Sequence, residues 1–204
     1  MTDQLTYQAP AQSARCHFTV SGSRFIANLV PVVSEEAVSA ALAAIRADFP
    51  DATHHTYAYR IGAGSALLER SADDREPAGT AGAPMLQVLQ GGNISDALLV
   101  ATRYFGGTKL GIGGLTRAYR DCARLPLAEA VLVTREPLSS IFLTLRYEDL
   151  GAISRLLETL SGTVVSVDYS ASVTMQIQLP TRSSEEFIKS FASSCRGQGT
   201  WEMG

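Results

Sequence analysis

Residues 97–119 read ALLVATRYFGGTKLGIGGLTRAY, and this stretch contains the clearest structural pattern in the chain. Its first part, residues 97–104, is a continuous apolar run, which is typical of a buried central strand. A glycine-rich loop follows, with five glycines between Gly106 and Gly114. The helical spacing from Leu115 to Val133 predicts a long helix, which we expect Pro126 to kink or restart. The stretch therefore predicts a strand, a loop and a helix in succession.

The glycine-rich loop has the composition of an anion site. Free backbone N–H groups at a loop and at a helix N-terminus bind anions, and Lys109 and Arg117 would add positive charge. The spacing matches neither the P-loop nor the GxGxxG dinucleotide fingerprint, so it does not support nucleoside triphosphate hydrolysis. Glycines also allow a strand and a helix to pack closely. An anion site and tight packing both remain open.

A second segment, residues 71–82, reads SADDREPAGTAG and carries three acids within four residues. Such a cluster suits a divalent cation or general acid–base chemistry, although the regular ligand spacing of a calcium loop is missing. Asp73 or Asp74 could instead cap the helix that follows or pair with nearby arginines. The backbone N–H groups of the later glycines could also open onto an anion. The residues alone favour a structural use of this segment.

Two adjacent histidines, His54 and His55, begin a stretch with strand alternation that continues to Ile61. Neighbouring residues of a strand point to opposite faces, so these imidazoles cannot chelate one metal ion together. His54 is a candidate for a groove, and a polar sheet edge is the structural alternative. The three cysteines are widely spaced and form no zinc-type cluster, so we predict no metal site and three reduced thiols.

Composition and charge narrow the class of protein. The chain has 204 residues, of which 46% are hydrophobic and 18% charged, a balance that excludes disordered and collagen-like chains. No apolar run is long enough for a membrane helix and no secretory signal is present, so we expect a cytoplasmic protein without a membrane partner. The net charge of −3 argues against a sequence-blind nucleic-acid binder. Residues 103–124 nevertheless form a local basic cluster that could bind nucleic acid. This segment contains one acid, Asp121, and five basic residues, Arg103, Lys109, Arg117, Arg120 and Arg124.

Two domains are indicated, with a boundary near Arg135. The first half predicts a hairpin over residues 15–33, a helix after Ser34 and a loop over residues 62–79. Residues 138–204 predict the order strand, helix, strand, strand, helix, strand, which is the ferredoxin-like pattern.

The acidic and glycine-rich segments together resemble two motifs of the YigZ/IMPACT family in its bacterial two-domain form. Residues 71–84 resemble SDDGEPxGTAGxP, and residues 103–119 resemble RYFGGxxLGxGGLxRAY. Residues 51–59, DATHHTYAY, fit a third conserved stretch of that family. The sequence departs from the pattern at Arg75, where the family usually has glycine, and at Thr56, where many members have cysteine. An arginine at a position that needs positive φ would be strained.

The resemblance implies an α+β protein. Residues 1–135 are expected to adopt the fold of the second domain of ribosomal protein S5, and residues 136–204 a ferredoxin-like fold similar to the last domain of elongation factor G. Eukaryotic relatives regulate translation initiation under stress by binding an activator of the kinase that phosphorylates an initiation factor. Bacterial relatives are suspected of binding nucleic acid or the translation machinery. No cofactor is implied.

Three hypotheses follow from these observations. The first is a non-enzymatic, translation-linked protein that binds RNA or the ribosome through a basic glycine-rich groove, with Tyr119 and other aromatic residues stacking on bases. The second is a protein-interaction module that binds a translation-regulatory protein. The third is an enzyme acting on a small phosphorylated or nucleotide ligand. The groove candidates are Arg103, Tyr104, Phe105, Gly106, Gly107, Lys109, Gly111, Gly113, Gly114, Arg117 and Arg120. The acidic-loop candidates are Asp73, Asp74, Glu76, Gly79 and Thr80, with His54 as a further groove candidate.

Overall fold

The chain divides into two compact units, Met1–Arg135 and Glu136–Gly204. A computed structural model describes residues 6–204 and shows a mixed α/β protein with five α-helices and eleven strands in that range. Within these residues, no helix combines the length and the apolar character needed to cross a membrane.

The first unit is built around a five-stranded sheet, and its described residues form seven strands in all. The strands of the unit are β1 (Tyr7–Pro10), β2 (Ala14–Val20), β3 (Ser23–Pro31), β4 (His54–Ile61), β5 (Leu68–Ala72), β6 (Ala97–Tyr104) and β7 (Leu132–Arg135). Its helices are α1 (Glu35–Asp48), α2 (Gly82–Gly91) and α3 (Gly111–Glu129). The sheet has the order β2-β3-β6-β4-β5, with every neighbouring pair antiparallel. Strands β1 and β7 form a separate antiparallel pair.

Strand β6 lies at the centre of the sheet and is buried on both faces. Leu99 and Ala101 belong to the core shared with α2 and α3, whereas Leu98 and Val100 belong to the core shared with α1. Successive side chains of a strand point to opposite faces, so a strand covered on both sides must be apolar throughout. Burial on both faces therefore explains the continuous apolar run at residues 97–104.

The second unit is a four-stranded antiparallel sheet with two helices. Its elements are β8 (Leu138–Leu145), α4 (Leu150–Thr159), β9 (Thr163–Tyr169), β10 (Val173–Pro180), α5 (Ser184–Ser194) and β11 (Thr200–Met203). The sheet order is β11-β8-β10-β9. Alternate residues of β8, Ile141, Leu143 and Leu145, are buried in one core with Phe187 and Phe191 of α5. The predicted order of strands and helices in this half is confirmed.

Three local predictions were wrong. Residues 62–79 were expected to form a loop, but Leu68–Ala72 pair with β4 as an edge strand. None of the residues of this strand is fully buried, so its sequence lacks the alternation of apolar and polar residues that predicts a strand. Pro126 does not start a new helix, since it lies buried within the continuous helix α3. The helix ends at Glu129 and the chain continues as β7, where Leu132 was expected to be helical.

Candidate functional site

Part of the predicted groove lies at one end of the five-stranded sheet. Arg103, near the end of β6, lies directly opposite His54 at the start of β4 and opposite Phe25 on β3. The acidic loop after β5 and the glycine-rich loop after β6 approach the same end. The antiparallel register therefore brings together three segments that are far apart in the sequence.

Glu76 is the centre of a buried polar cluster at this end. Its Oε1 accepts a hydrogen bond from Arg103 Nη1 at 2.6 Å and another from the Tyr119 hydroxyl at 2.6 Å. The Nε2 of His54 lies 3.7 Å from the same oxygen. Burial, and then the hydrogen bond to Glu76, raises the pKa of Tyr119 far above its usual range, so the phenol stays protonated. The cluster is a compensated ion pair that fixes α3 to the sheet.

Arg103 makes its remaining contacts inside the protein. Its Nη2 donates to Ser23 Oγ at 3.1 Å, and its guanidinium lies 5.4 Å from the Phe25 ring centroid and 5.6 Å from that of Phe105. The residue is only 4% exposed. The Arg103 side chain is therefore part of the wall of the site. The sequence suggested a pair with Asp73 or Asp74, whereas the structure pairs Arg103 with Glu76.

Asp73 caps helix α2 and closes the acidic loop. Its Oδ1 accepts the backbone N–H groups of Ala81 and Gly82 at 3.0 and 2.9 Å. Its Oδ2 accepts the N–H of Gly79 at 2.8 Å. Thr80 is buried and donates its hydroxyl to the carbonyl of Pro77 at 2.6 Å. The capping role considered for this acid is confirmed, and these N–H groups are occupied by Asp73.

Asp74 and the histidines fix the other side of the acidic loop. The Oδ2 of Asp74 accepts the backbone N–H of His55 at 2.6 Å. The Nδ1 of His54 lies 2.8 Å from the carbonyl oxygen of Asp74; a carbonyl only accepts, so Nδ1 carries the proton. Arg75 has φ +70°, in the left-handed region that favours glycine. No group of three or more histidine, cysteine or acidic side chains is placed to hold a metal ion within residues 6–204.

The structure supports tight packing as one use of the glycine-rich loop, and the anion site stays a prediction. Gly106 packs against the turn after β2: a Cβ on it would lie 1.9 Å from the carbonyl carbon of Gly22. Gly107 and Gly111 have φ of +86° and +68° and stand in open space. Gly113 lies in the first turn of α3. Close packing thus explains one glycine, and backbone conformation explains two others.

The N-terminus of α3 borders an open cleft. In the first turn of this helix, described in full, no side chain caps the backbone N–H groups and no acid is present. Lys109 and Arg117 are exposed, and neither forms a salt bridge with any described residue. The cleft has a volume of about 350 Å³, and its wall includes Lys109, Glu76, Arg103 and Phe105. Its rim is therefore electropositive and its interior is partly apolar.

The other candidates lie outside this cleft. Arg120 and Arg124 line a separate depression of about 320 Å³ with the end of α2, and Arg124 is 3.7 Å from Asp121. Tyr104 donates its hydroxyl to Asp51 at 2.8 Å. Tyr119 is fully buried, so the expectation that its ring stacks on a ligand is wrong. These positions divide the basic cluster of the sequence into two separate surfaces.

Several residues of the site gave no signal in the sequence. The Ser23 hydroxyl accepts from both Arg103 and the backbone N–H of Gly106, and the Arg24 guanidinium lies 4.3 Å from the Tyr104 ring centroid. Thr53 Oγ1 accepts the backbone N–H of Phe105 at 3.1 Å. In the sequence, Ser23 looks like an ordinary turn residue of a hairpin. The pairing of β3 with β6 is what brings its hydroxyl to the site.

All three cysteines are free and buried, as expected for reduced thiols. Burial raises the pKa of Cys122 to about 12. The pKa values of Cys16 and Cys195 are also raised, first by burial. Protonated buried thiols are poor nucleophiles, so these cysteines act as packing residues.

Comparison with known proteins gives matches over both units. The family model for the Impact N-terminal domain matches residues 21–127, and that for a domain of unknown function, DUF1949, matches residues 143–198. The Escherichia coli (strain K12) protein described as IMPACT family member YigZ is 36% identical over 179 residues, covering 87% of this chain and 88% of that protein. IMPACT family member YvyE of Bacillus subtilis (strain 168) is 30% identical over 199 residues, with 98% and 91% covered.

A mammalian protein and a solved structure extend the comparison. Protein IMPACT of Oryctolagus cuniculus is 36% identical over 111 residues, which cover 52% of this chain and 34% of that protein. A crystal structure described as that of a hypothetical protein superposes with a TM-score of 0.73 at 34% identity, covering 97% of both chains. The whole two-unit chain is therefore shared with that solved protein, whereas the mammalian protein shares part of it.

Proposed function

The chain belongs to the IMPACT family, and from this membership we propose that it is a non-enzymatic, translation-linked regulator that binds RNA through the cleft at the N-terminus of α3. The observation that carries the proposal is the uncapped first turn of α3, which opens beside the exposed side chain of Lys109. Backbone N–H groups at a helix N-terminus attract phosphate, and a nearby lysine adds a mobile positive charge.

The charge distribution around the cleft supports a phosphate-bearing ligand. The three acids of the neighbouring loop are all engaged: Asp73 by backbone N–H groups, Asp74 by His55, and Glu76 by Arg103. These bonds compensate much of the negative charge of the loop, and Glu76 keeps one oxygen without a hydrogen bond. The exposed Lys109 at the rim forms no salt bridge with a described residue, so a protein of net charge −3 can still attract an anion here.

The folds that we propose for the two units agree with a link to translation. For the first unit we propose the fold of the second domain of ribosomal protein S5. For the second unit we propose a ferredoxin-like fold, which the antiparallel order β11-β8-β10-β9 supports. Similarity of fold does not establish function, so the proposal depends on the cleft and on family membership.

Sedimentation with ribosomes through a sucrose gradient tests the proposal. We expect the protein to co-sediment at low salt and to dissociate as salt rises, since released counterions weaken phosphate contacts. A variant with Lys109→Ala and Arg117→Ala should not co-sediment. A matched control, Arg155→Ala with Lys189→Ala, removes the same charges from the second unit and should behave as wild type. Equal co-sedimentation of both variants would contradict the proposed site.

A second candidate function is a protein-interaction module, and the second unit supplies the observation that favours it. All seven residues of β9 are exposed, and Val164, Val165 and Tyr169 are 48%, 50% and 60% exposed. An exposed apolar edge strand is a surface to which another chain can add. Capture of a translation-regulatory protein from nuclease-treated lysate would favour this candidate over RNA binding, provided that Val165→Asp abolishes the capture and that Lys109→Ala with Arg117→Ala does not.

A further inference from the structure

The cleft at the N-terminus of α3 has the size and lining of a small-molecule site. Its volume of about 350 Å³ lies within the usual range of roughly 300–1,000 Å³ for such sites. Phe105 and Ile112 line it and are 48% and 71% exposed. An aromatic ring and an aliphatic side chain beside an open cleft offer a planar ligand a surface on which to stack.

The interior of the cleft contains a buried donor without a partner. Arg103 is 4% exposed and lines the cleft, and its Nε has no hydrogen-bond partner among residues 6–204. That atom has less than 1 Å² of accessible surface, so a molecule in the cleft does not reach it. The Nη1 and Nη2 groups of Arg103 are already bonded to Glu76 and Ser23, so a ligand must find its polar partner elsewhere in the wall of the cleft.

The same part of the cleft offers an acceptor. Within the described chain, the hydrogen bonds and the ion pairs to the Glu76 carboxylate all use Oε1. Its Oε2 makes no hydrogen bond with the described residues, and this atom is not completely buried. This unpartnered oxygen belongs to a buried side chain in the wall of the cleft, is independent of the helix N-terminus, and can accept an N–H group from the edge of a nucleobase.

From these features we propose that the cleft holds one nucleoside monophosphate unit, with its base beside Phe105 and Ile112 and its phosphate at the first turn of α3. The base edge donates to the free Oε2 of Glu76, and Lys109 contacts the phosphate. The unit belongs to an RNA strand or is a free nucleotide, and the two sources share this chemistry. The inference rests on the proposed function and names the part of the RNA that is bound.

Fluorescence anisotropy with two labelled 12-nucleotide RNAs tests the inference. One is a mixed-sequence strand; the other has the same backbone and every base removed. We expect wild type to bind the complete strand at least about fivefold more tightly, the low end of what stacking one base contributes. The variant Phe105→Ala with Ile112→Ala should bind both strands equally, because it keeps the cations and loses the stacking surface.

Control variants keep the result interpretable. Both substituted side chains are exposed, so the double variant should unfold at the same urea concentration as wild type. Val33→Ala removes another apolar group that is 64% exposed and lies two residues beyond the end of β3, and it should leave both affinities unchanged. A double variant that keeps the preference for bases would overturn the assignment of the base to this cleft.

The outcomes separate this inference from the proposed function. Equal binding of the two strands by wild type overturns the inference and leaves RNA binding intact. If neither strand binds, titration calorimetry with the four nucleoside 5′-monophosphates and with ribose 5-phosphate decides. Tighter binding of the nucleotides would support the cleft as a free-nucleotide site and overturn the proposed function. Absence of binding in every titration would overturn both.

Discussion

Arg103 and Glu76 form an ion pair of 2.6 Å in which the two side chains are only 5% and 4% exposed. Removing two charges from water costs several kcal/mol per ion, which a pair recovers only with good geometry and further hydrogen bonds. Tyr119 supplies such a bond from α3, and Ser23 supplies another from β3. The pair thus joins α3, β3, β6 and the acidic loop at one point.

Replacing one partner of this pair should be costly. We expect Glu76→Leu to destabilise the fold by about 3–5 kcal/mol, because it leaves Arg103 buried without its counter-ion. Urea unfolding followed by circular dichroism measures the change. The double variant Glu76→Leu with Arg103→Met should cost much less than the sum of the two single variants. Additive costs would show that the two residues are not coupled.

The contact between Gly106 and Gly22 should not tolerate a methyl group. A Cβ on Gly106 meets backbone atoms of Gly22 at 1.9 and 2.1 Å, and backbone cannot move aside cheaply. We expect Gly106→Ala to cost about 1–3 kcal/mol in thermal or urea unfolding. The matched control is Gly113→Ala, whose nearest contact is the tip of Arg117 at 3.7 Å. This helical substitution should stabilise by about 0.5–1 kcal/mol. Equal effects of the two substitutions would contradict the close contact.

Arg75 occupies a conformation that favours glycine. A left-handed φ costs a residue with a side chain about 1–2 kcal/mol, and Arg75 has φ +70°. The arginine recovers part of this through its hydrogen bond to the carbonyl of Thr53 at 3.0 Å. We expect Arg75→Gly to raise the free energy of unfolding by about 0.5–1 kcal/mol, after the greater entropy of glycine is subtracted. Arg75→Ala retains the strain and loses the hydrogen bond, so it should not stabilise; stabilisation by both would argue against backbone strain.

His55 should make stability depend on pH. Burial lowers the pKa of His55 below its ordinary 6.5, and the nearby charge of Asp74 partly opposes this. The unfolded chain therefore binds a proton at a higher pH than the folded one, so stability falls as the pH drops below about 6.5. Urea midpoints between pH 7.5 and 5.5 should show this decline in wild type and a weaker one in His55→Gln. The exposed His17, replaced by Gln, is the control, and identical slopes for all three proteins would exclude His55 as the cause.

The sequence predicted the central elements because their patterns are local. The apolar residues of β6 are buried on both faces, and the alternation of β8 follows from burial on one face. Strand β5 escaped prediction because an edge strand has few buried residues and so carries no alternation. Strands β1 and β7 pair residues more than 120 positions apart, and no local pattern encodes such a partner.

The sequence indicated which segments form the candidate site, but it did not indicate how their side chains are arranged. The segments that carry Glu76, Arg103 and Lys109 stand out as motifs, yet nothing in the sequence shows which cation is buried. Arg103 and Lys109 are six positions apart in one basic cluster; the first is 4% exposed and the second lies in the exposed class. The difference arises from the pairing of β6 with β3 and β4, which places Arg103 against Glu76.

Asp73 has a consequence for motion. One carboxylate bonds the acidic loop at Gly79 and the first turn of α2 at Gly82, so a single side chain links the loop to the helix. A displacement of the loop by a bound ligand would loosen the amides of that turn. A molecule in the cleft would then alter hydrogen exchange in α2, a helix that it does not touch.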